Sequence, residues 1–287
     1  MTGNIEKNRL LELFDQNEGK KEKFFMPFLV CGDPSTEQFI SLVKKIDPYI
    51  DILELGVPFS DPIADGPTIQ EANIRAFNAG INTKTALKAI KDIRAKIEKP
   101  IVVLTYYNIL IQGADTIEDS LDKTFKNLKD SGVDGIVIGD LPIEEAELAL
   151  KACEKYDICL IFLIAPSTTE VRLEKILKVA KGFIYLISVM GVTGARDTVA
   201  QITKDTIKRM KLKTEKILPV FVGFGISKPE HARTIVDAGA DGVIIGSAIV
   251  NIIKKNLNDF VKMEKEIEEF ASSIKNAIKR FDLKNGI

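Results

Sequence analysis

Two acids, Glu54 and Asp65, stand where an apolar strand runs into a Gly/Pro-rich loop, in the stretch LELGVPFSDPIADGP from Leu53 to Pro67. A carboxylate in such a place is expensive, because burial disfavours its charged form unless hydrogen bonds compensate. Asp51 to Gly56 reads as a short strand whose period-2 alternation puts Leu53 and Leu55 on one face and Ile52, Glu54 and Gly56 on the other. A Glu on an interior face either caps a neighbouring loop or has its pKa raised toward neutrality, where a carboxyl can exchange protons with a substrate. Perturbed carboxylates cluster at functional sites, so the second, catalytic reading of Glu54 is the expectation.

The other ionisable groups near expected strand ends are Asp140 and Tyr185. Asp140 ends the turn Gly139-Asp140-Leu141-Pro142 and suits a cap as well as a catalyst. Tyr185 alternates with Leu186, so it either faces a lumen or packs as core, and Tyr106, Tyr107 and Asn108 either line an aromatic-accepting pocket or pack. The single histidine, His231, falls within an expected helix and reads as an ordinary helix residue. No His/Asp/Glu cluster has the spacing of a catalytic metal site, and no Lys lies in the apolar body of a strand to form an imine. Proton transfer by carboxylates, assisted by a phenol, is the chemistry that remains.

These residues need a scaffold that brings strand ends together. Short β-branched runs fall at about 25–31, 51–56, 101–105, 134–138, 159–164, 183–187, 218–222 and 242–246, alternating with amphipathic segments. Ser35-x-x-Gln38, Ser167-x-x-Glu170 and Ser227-x-x-Glu230 are helix-start patterns, and Gly80, Gly132 and Gly239 mark helix ends. Eight strands, each followed by a helix, predict an α/β fold, a (β/α)8 TIM barrel, as a single domain over residues 1–287. The segment from Ile5 to about Glu18 predicts an extra N-terminal helix covering the barrel's N-terminal end. Extra short helices are expected after strand two, as a brief turn over Pro62–Gly66, and after strand eight, with one or two more helices from Asn251 to about Arg280. The run from Ser131 to Asp140, SGVDGIVIGD, echoes AGADGVIIGS from Ala238 to Ser247, as two related half-barrels would.

In a barrel, chemistry sits at the C-terminal strand ends, with phosphate commonly held by the loops after strands seven and eight. Here those loops read Phe221-Val222-Gly223-Phe224-Gly225-Ile226-Ser227 and Gly246-Ser247-Ala248, and the loop after strand six adds Gly191-Val192-Thr193-Gly194. Either the glycines let free N–H groups approach an oxyanion or they only make turns. Composition sets broader bounds. Forty basic against forty-one acidic residues leave a net charge of −1, which gives no global pull toward nucleic acid or anionic membrane. Three cysteines, Cys31, Cys153 and Cys159, lack metal-like spacing and fit a reducing cytoplasm. No run approaches the roughly 20 apolar residues of a membrane span, and the N-terminus lacks a signal core.

The stretch LELGVPFSDPIADGP closely resembles the signature of the tryptophan synthase alpha chain family, and the likeness continues through PFLVCGDPS, GVDGIVIGDLP, YLISVMGVTGAR, FVGFGIS and GADGVIIGSA. The resemblance implies cleavage of indole-3-glycerol phosphate to indole and glyceraldehyde 3-phosphate, a retro-aldol lyase reaction with neither metal nor cofactor in this chain. It casts Glu54 as general acid/base, Asp65 as partner of the indole N–H, and Tyr185 as their assistant. It makes Gly194, Gly225, Gly246 and Ser247 the phosphate positions and Phe28 and Leu104 the walls of the indole pocket. Thr193, flanked by two glycines in the strand-six loop, is expected to help position Asp65 over a bound substrate. It also implies a partner, a pyridoxal-phosphate beta chain in an alpha2-beta2 heterotetramer, which meets the loops around strands two, three and six and receives indole through a tunnel. In the strand-six loop Val189 and Met190 precede GVTG where some members carry Arg and a small residue, and Tyr107 replaces a smaller residue before Asn108. Other readings are a free-standing lyase, another phosphate-binding barrel enzyme, and a noncatalytic subunit. The last two leave the paired acids unexplained.

Overall fold

The structure, a computed structural model, describes residues 8–187, 196–214, 218–223 and 225–279. Within them nine parallel strands form one sheet: β1 (Phe24–Val30), β2 (Leu53–Gly56), β3 (Ile101–Thr105), β4 (Gly135–Ile138), β5 (Cys159–Ile161), β6 (Leu163–Ile164), β7 (Ile184–Ile187), β8 (Val220–Gly223) and β9 (Gly242–Ile245). Their order is β5-β4-β3-β2-β1-β9-β8-β7-β6. The two ends of that order are consecutive in the chain and separated only by Phe162, so the sheet curls into a nearly closed barrel. The single fifth strand expected over 159–164 is thus two pieces, β5 pairing with β4 and β6 with β7. The apolar run hides the break, and Phe162 still accepts a hydrogen bond from the Tyr185 N–H at 3.2 Å.

Alternation along the strands divides the apolar residues between two cores. Phe24, Met26, Ile52, Val102, Val137 and Ile244 point into the barrel, while Leu29, Leu53, Leu55, Val103, Ile136 and Val243 point outward under the helices. The N-terminal helix spans Arg9–Gln16, capped by Asn8, and lies across the strands' starting end. Its Leu10 is fully buried in the inner core, where β-carbons at Gly135 and Gly182 would come within 3.3 and 3.1 Å of it. Phe14 packs edge-on against Phe24 and Phe221, with ring centroids 5.4 and 5.9 Å away.

One device recurs at that end. Asp51, Asp134 and Asp241 stand before β2, β4 and β9, and each accepts a hydrogen bond from the backbone N–H of a residue in the preceding neighbour in the ring: Phe25 at 2.7 Å, Ile101 at 2.9 Å and Val220 at 2.8 Å. Each is also paired with cations: Lys275 on Asp51, Arg9 and Arg94 on Asp134, and Lys211 on Asp241. The sequence echo of Asp134 and Asp241 is therefore a structural repeat, and Asp51 is its third copy.

After β2 the expected extra helix is present but lies further along the chain. Pro62–Gly66 is a turn closed by the Asp65 N–H on the Pro62 carbonyl at 3.0 Å. Two full helices follow, Pro67–Asn78 and Thr83–Arg94, and helices Ser247–Lys255 and Phe260–Ile278 follow β9. The helices ending before Gly80, Gly132 and Gly239 stop as predicted, each glycine having a positive φ. Ser35 caps its helix. Ser167 does not, since Thr169 two residues later takes the N-cap position. Lys228 replaces Ser227 as N-cap because Pro229 occupies the first turn. Among the described residues no helix is long and apolar enough to cross a membrane.

Candidate active site

Glu54 is held mid-sheet, in register with Phe28 of β1 on one side and Val102 of β3 on the other. Its side chain is 0% exposed and faces the barrel interior, and neither carboxylate oxygen has a hydrogen-bond partner. The loop-capping reading is thereby excluded. Burial, reinforced by the negative charge of Asp65, pushes its pKa up to about 8. A group left this costly in a core is either an error of evolution or a site waiting for a ligand, and its position at the catalytic end of a barrel decides for the second.

Asp65 comes from the turn after β2 and is half-buried. Burial raises its pKa to about 6, opposed by hydrogen bonds from Tyr106 and Asn73. The Tyr106 hydroxyl donates to Asp65 Oδ2 at 3.1 Å and accepts from the Ala64 N–H at 3.2 Å. Its ring stacks on Phe59 with centroids 4.9 Å apart. The helix Pro67–Asn78 holds Asp65 a second way, through Gln70 Nε2 on its main-chain oxygen at 2.9 Å. Sequence reading left Tyr106 either lining a pocket or packing, and missed Asn73. The available signal was an Asn on the apolar stripe Ile69, Ala72, Asn73, Ala76, at helical spacing.

Tyr185 points inward from β7 and is buried, and its phenol is held protonated by burial and by the charges of Glu54 and Asp65. Its ring occupies the space beside Gly223, where a β-carbon would lie 2.5 Å from it. Phe28 and Leu104 reach the same end: the Phe28 ring lies over Gly56 and Gly246, with a β-carbon at Gly246 meeting it at 3.0 Å, and Leu104 packs against both cores. Gly246 is the N-cap of the helix Ser247–Lys255. Because β8 and β9 are parallel neighbours, exposed Gly225 and Ser247 follow adjacent strand ends and face one rim. Thr193 and Gly194, with Val189 and Met190, lie outside the described residues.

Asp140 has a structural task, accepting the Tyr107 N–H at 2.7 Å. His231 accepts from the Ser227 N–H at 3.5 Å within its own helix turn. A cavity of 360 Å³ lined by Gly139, Asp140, Phe162, Leu163, Thr168 and Arg172, among others, opens beside the rim but reaches neither acid. Arg172 in its wall is paired with Glu144 at 2.6 Å. Among the described residues no group of three or more His, Cys, Asp or Glu is placed to hold a metal ion.

Comparison with known proteins gives this geometry a family. A family model described as tryptophan synthase alpha chain matches residues 14–279. The tryptophan synthase alpha chain of Methanothermobacter thermautotrophicus is 47% identical over 254 residues, covering 88% of this chain and 91% of that one. That of Methanosarcina barkeri is 41% identical, covering 96% of this chain and 99% of its own. Among solved structures, tryptophan synthase subunit alpha from Legionella pneumophila has a TM-score of 0.82 at 30% identity, over 94% of this chain and 98% of that one. A chain of the tryptophan synthase a2b2 complex from Pyrococcus furiosus has a TM-score of 0.78 at 34% identity, over 89% and 99%. With the match running nearly end to end, the chain belongs to the tryptophan synthase alpha chain family.

Proposed function

We propose that this chain cleaves indole-3-glycerol phosphate into indole and glyceraldehyde 3-phosphate, as the alpha subunit of a tryptophan synthase. The observation that carries the reading is the pair of acids at one mouth with pKa values pushed apart, Glu54 to about 8 and Asp65 to about 6. At neutral pH Glu54 holds a proton and Asp65 has lost its own, which divides the roles of acid and charge partner between them.

Glu54 delivers its proton to indole C3, and the positive charge that develops at the ring N–H is stabilised by the Asp65 carboxylate. The bond from C3 to the glycerol side chain then breaks, its electron pair returning to the ring, as the adjacent hydroxyl gives up its proton to Glu54 and becomes the aldehyde. Tyr185 stays a protonated donor beside them. Phe28 and Leu104 wall the indole. Gly225, Gly246 and Ser247 hold the phosphate at the rim, where a helix N-terminus favours an anion; Gly194 completes the phosphate positions and Thr193 serves Asp65, both from a segment outside the described residues. All of this proceeds without a metal or cofactor in this chain.

The chain works as a single domain over residues 1–287, in the cytoplasm, with a beta chain that carries the pyridoxal phosphate. The assembly of the Pyrococcus furiosus relative as an a2b2 complex supports that partnership, and so does Ile63, which stands 81% exposed in the loop that carries Asp65. The deciding experiment is a direct assay of indole release by the purified chain, alone and with a beta chain. Glu54→Gln should lower the rate at least about 100-fold, the effect of a lost general acid/base, while glycerol phosphate still binds. Near-normal turnover by that variant would remove Glu54 from the mechanism.

A further inference from the structure

The helix Pro67–Asn78 holds Asp65 by both ends, through Gln70 on its carbonyl and Asn73 on its carboxylate. The helix buries Ile69, Ala72 and Ala76 in the core, and its polar anchor is Arg75, whose Nε and terminal nitrogen fork onto the two oxygens of Asp33 at 2.7 Å each. Asp33 is fully buried just beyond the end of β1, the strand that lies beside Glu54. A second tether, Glu71 to Lys254 on the helix Ser247–Lys255, joins two half-exposed groups, where solvent leaves an ion pair little strength. The buried bidentate pair is the stronger anchor.

We propose that Arg75, clamped on Asp33, is a positioning residue that acts through Asn73 to fix the Asp65 carboxylate relative to Glu54. Arg75 and Asn73 are two residues apart, so they leave the helix in different directions, Arg75 toward the barrel's rigid β1 end and Asn73 into the site. Releasing Arg75 lets the helix pivot and withdraws the Asn73 amide from Asp65. The proposal rests on the reading of Asp65 as the group that meets the indole nitrogen.

The test uses the full chain and two independent readouts. Asp65 is followed by carboxyl carbon NMR without substrate; the other titrating groups facing it are Glu54 from β2, Tyr106 from the end of β3 and Tyr185 from β7. Indole release gives kcat and KM. In Arg75→Met the Asp65 midpoint should move upward, because a hydrogen bond to its charged form is lost. Its kcat should fall about tenfold or more through lost orientation, with KM within about twofold, since the phosphate is held by other loops. The double variant Arg75→Met with Asn73→Ala should be no worse than Asn73→Ala alone, because residues acting through one contact are not additive. Arg75→Lys keeps the charge without the fork and should be intermediate in both readouts; it decides the matter if the Met variant does not fold. An unmoved Asp65 midpoint in a folded variant, or additive losses in the double variant, overturns the proposal. A wild-type chain that releases no indole while its Asp65 midpoint still answers to Arg75 sinks the functional reading and leaves the positioning role standing.

Discussion

At the scale of single residues, Glu54 and Asp65 are both pushed upward but not to the same place, and the interval between about 8 and about 6 defines a working window. Below it Asp65 is neutral and cannot meet a cationic indole; above it Glu54 has no proton to give. A plot of kcat/KM against pH should therefore rise through about 6 and fall through about 8, since this parameter reports the free enzyme. Asp65→Asn should erase the rising limb along with most of the rate; a rate loss expressed only in KM would instead mean that Asp65 binds without helping the chemistry. Glu54 was legible in the sequence because a charge interrupts apolar alternation, and Asp65 because it stands in the Gly/Pro-rich loop into which that strand runs. Asn73, Tyr106 and Arg75 were not, because what they do depends on contacts formed when the chain folds back: Arg75 meets Asp33 and Tyr106 meets Asp65 from about forty positions away in the chain.

At the scale of elements, the eight predicted strands were legible from periodicity to within about two residues, and the break at Phe162 was not, because CLIFLI alternates as well across a break as along a strand. The helix start at Ser35 was legible from Ser35-x-x-Gln38, its side chain accepting from the Gln38 N–H as the pattern requires. The start was ambiguous in Ser167-Thr168-Thr169, where three hydroxyls compete, and at Ser227 the following Pro229 moved it by one residue. The glycine-rich ends of β8 and β9 carry their own prediction. Gly246→Val would press its side chain into Phe28, already 3.0 Å from a β-carbon there, and into the space of the phosphate; Gly225→Val adds strain at a positive φ of 73°. Both should weaken glycerol phosphate binding by about tenfold or more in a calorimetric titration. Unchanged affinity in a folded variant would move the phosphate elsewhere. At the opposite end, Asp134→Asn leaves Arg9 and Arg94 facing a neutral amide and should cost about 2–3 kcal/mol. Asp241→Asn should cost less, because that carboxylate is 24% exposed against 2% for Asp134. The order of the two melting temperatures is the check.

At the scale of the whole molecule, the catalytic acid works against the fold. A carboxyl whose pKa is about 8 when folded and near 4.5 when unfolded contributes most to stability below pH 4.5, and that contribution is lost as pH rises through 8. The loss is of order 3–5 kcal/mol by pH 9. Glu54→Met, which replaces the unpartnered carboxyl with apolar atoms, should be inactive yet more stable than the natural chain at pH 9, with the advantage shrinking toward pH 5. Urea midpoints measured across that range decide it, and a constant gap would mean that the folded carboxyl of Glu54 is not held above its unfolded pKa.

The N-terminal helix also bears on traffic. With Leu10 and the rings of Phe14, Phe24 and Phe221 packed across one end, the barrel is a blind vessel: whatever enters from the Glu54 end must leave by the door it came through. A product set free at the open mouth of such a vessel has one heading, and any protein seated on the rim stands directly in its path. Handover between two enzymes would then require no carrier and no recognition of the passenger, only a partner that fits the doorway.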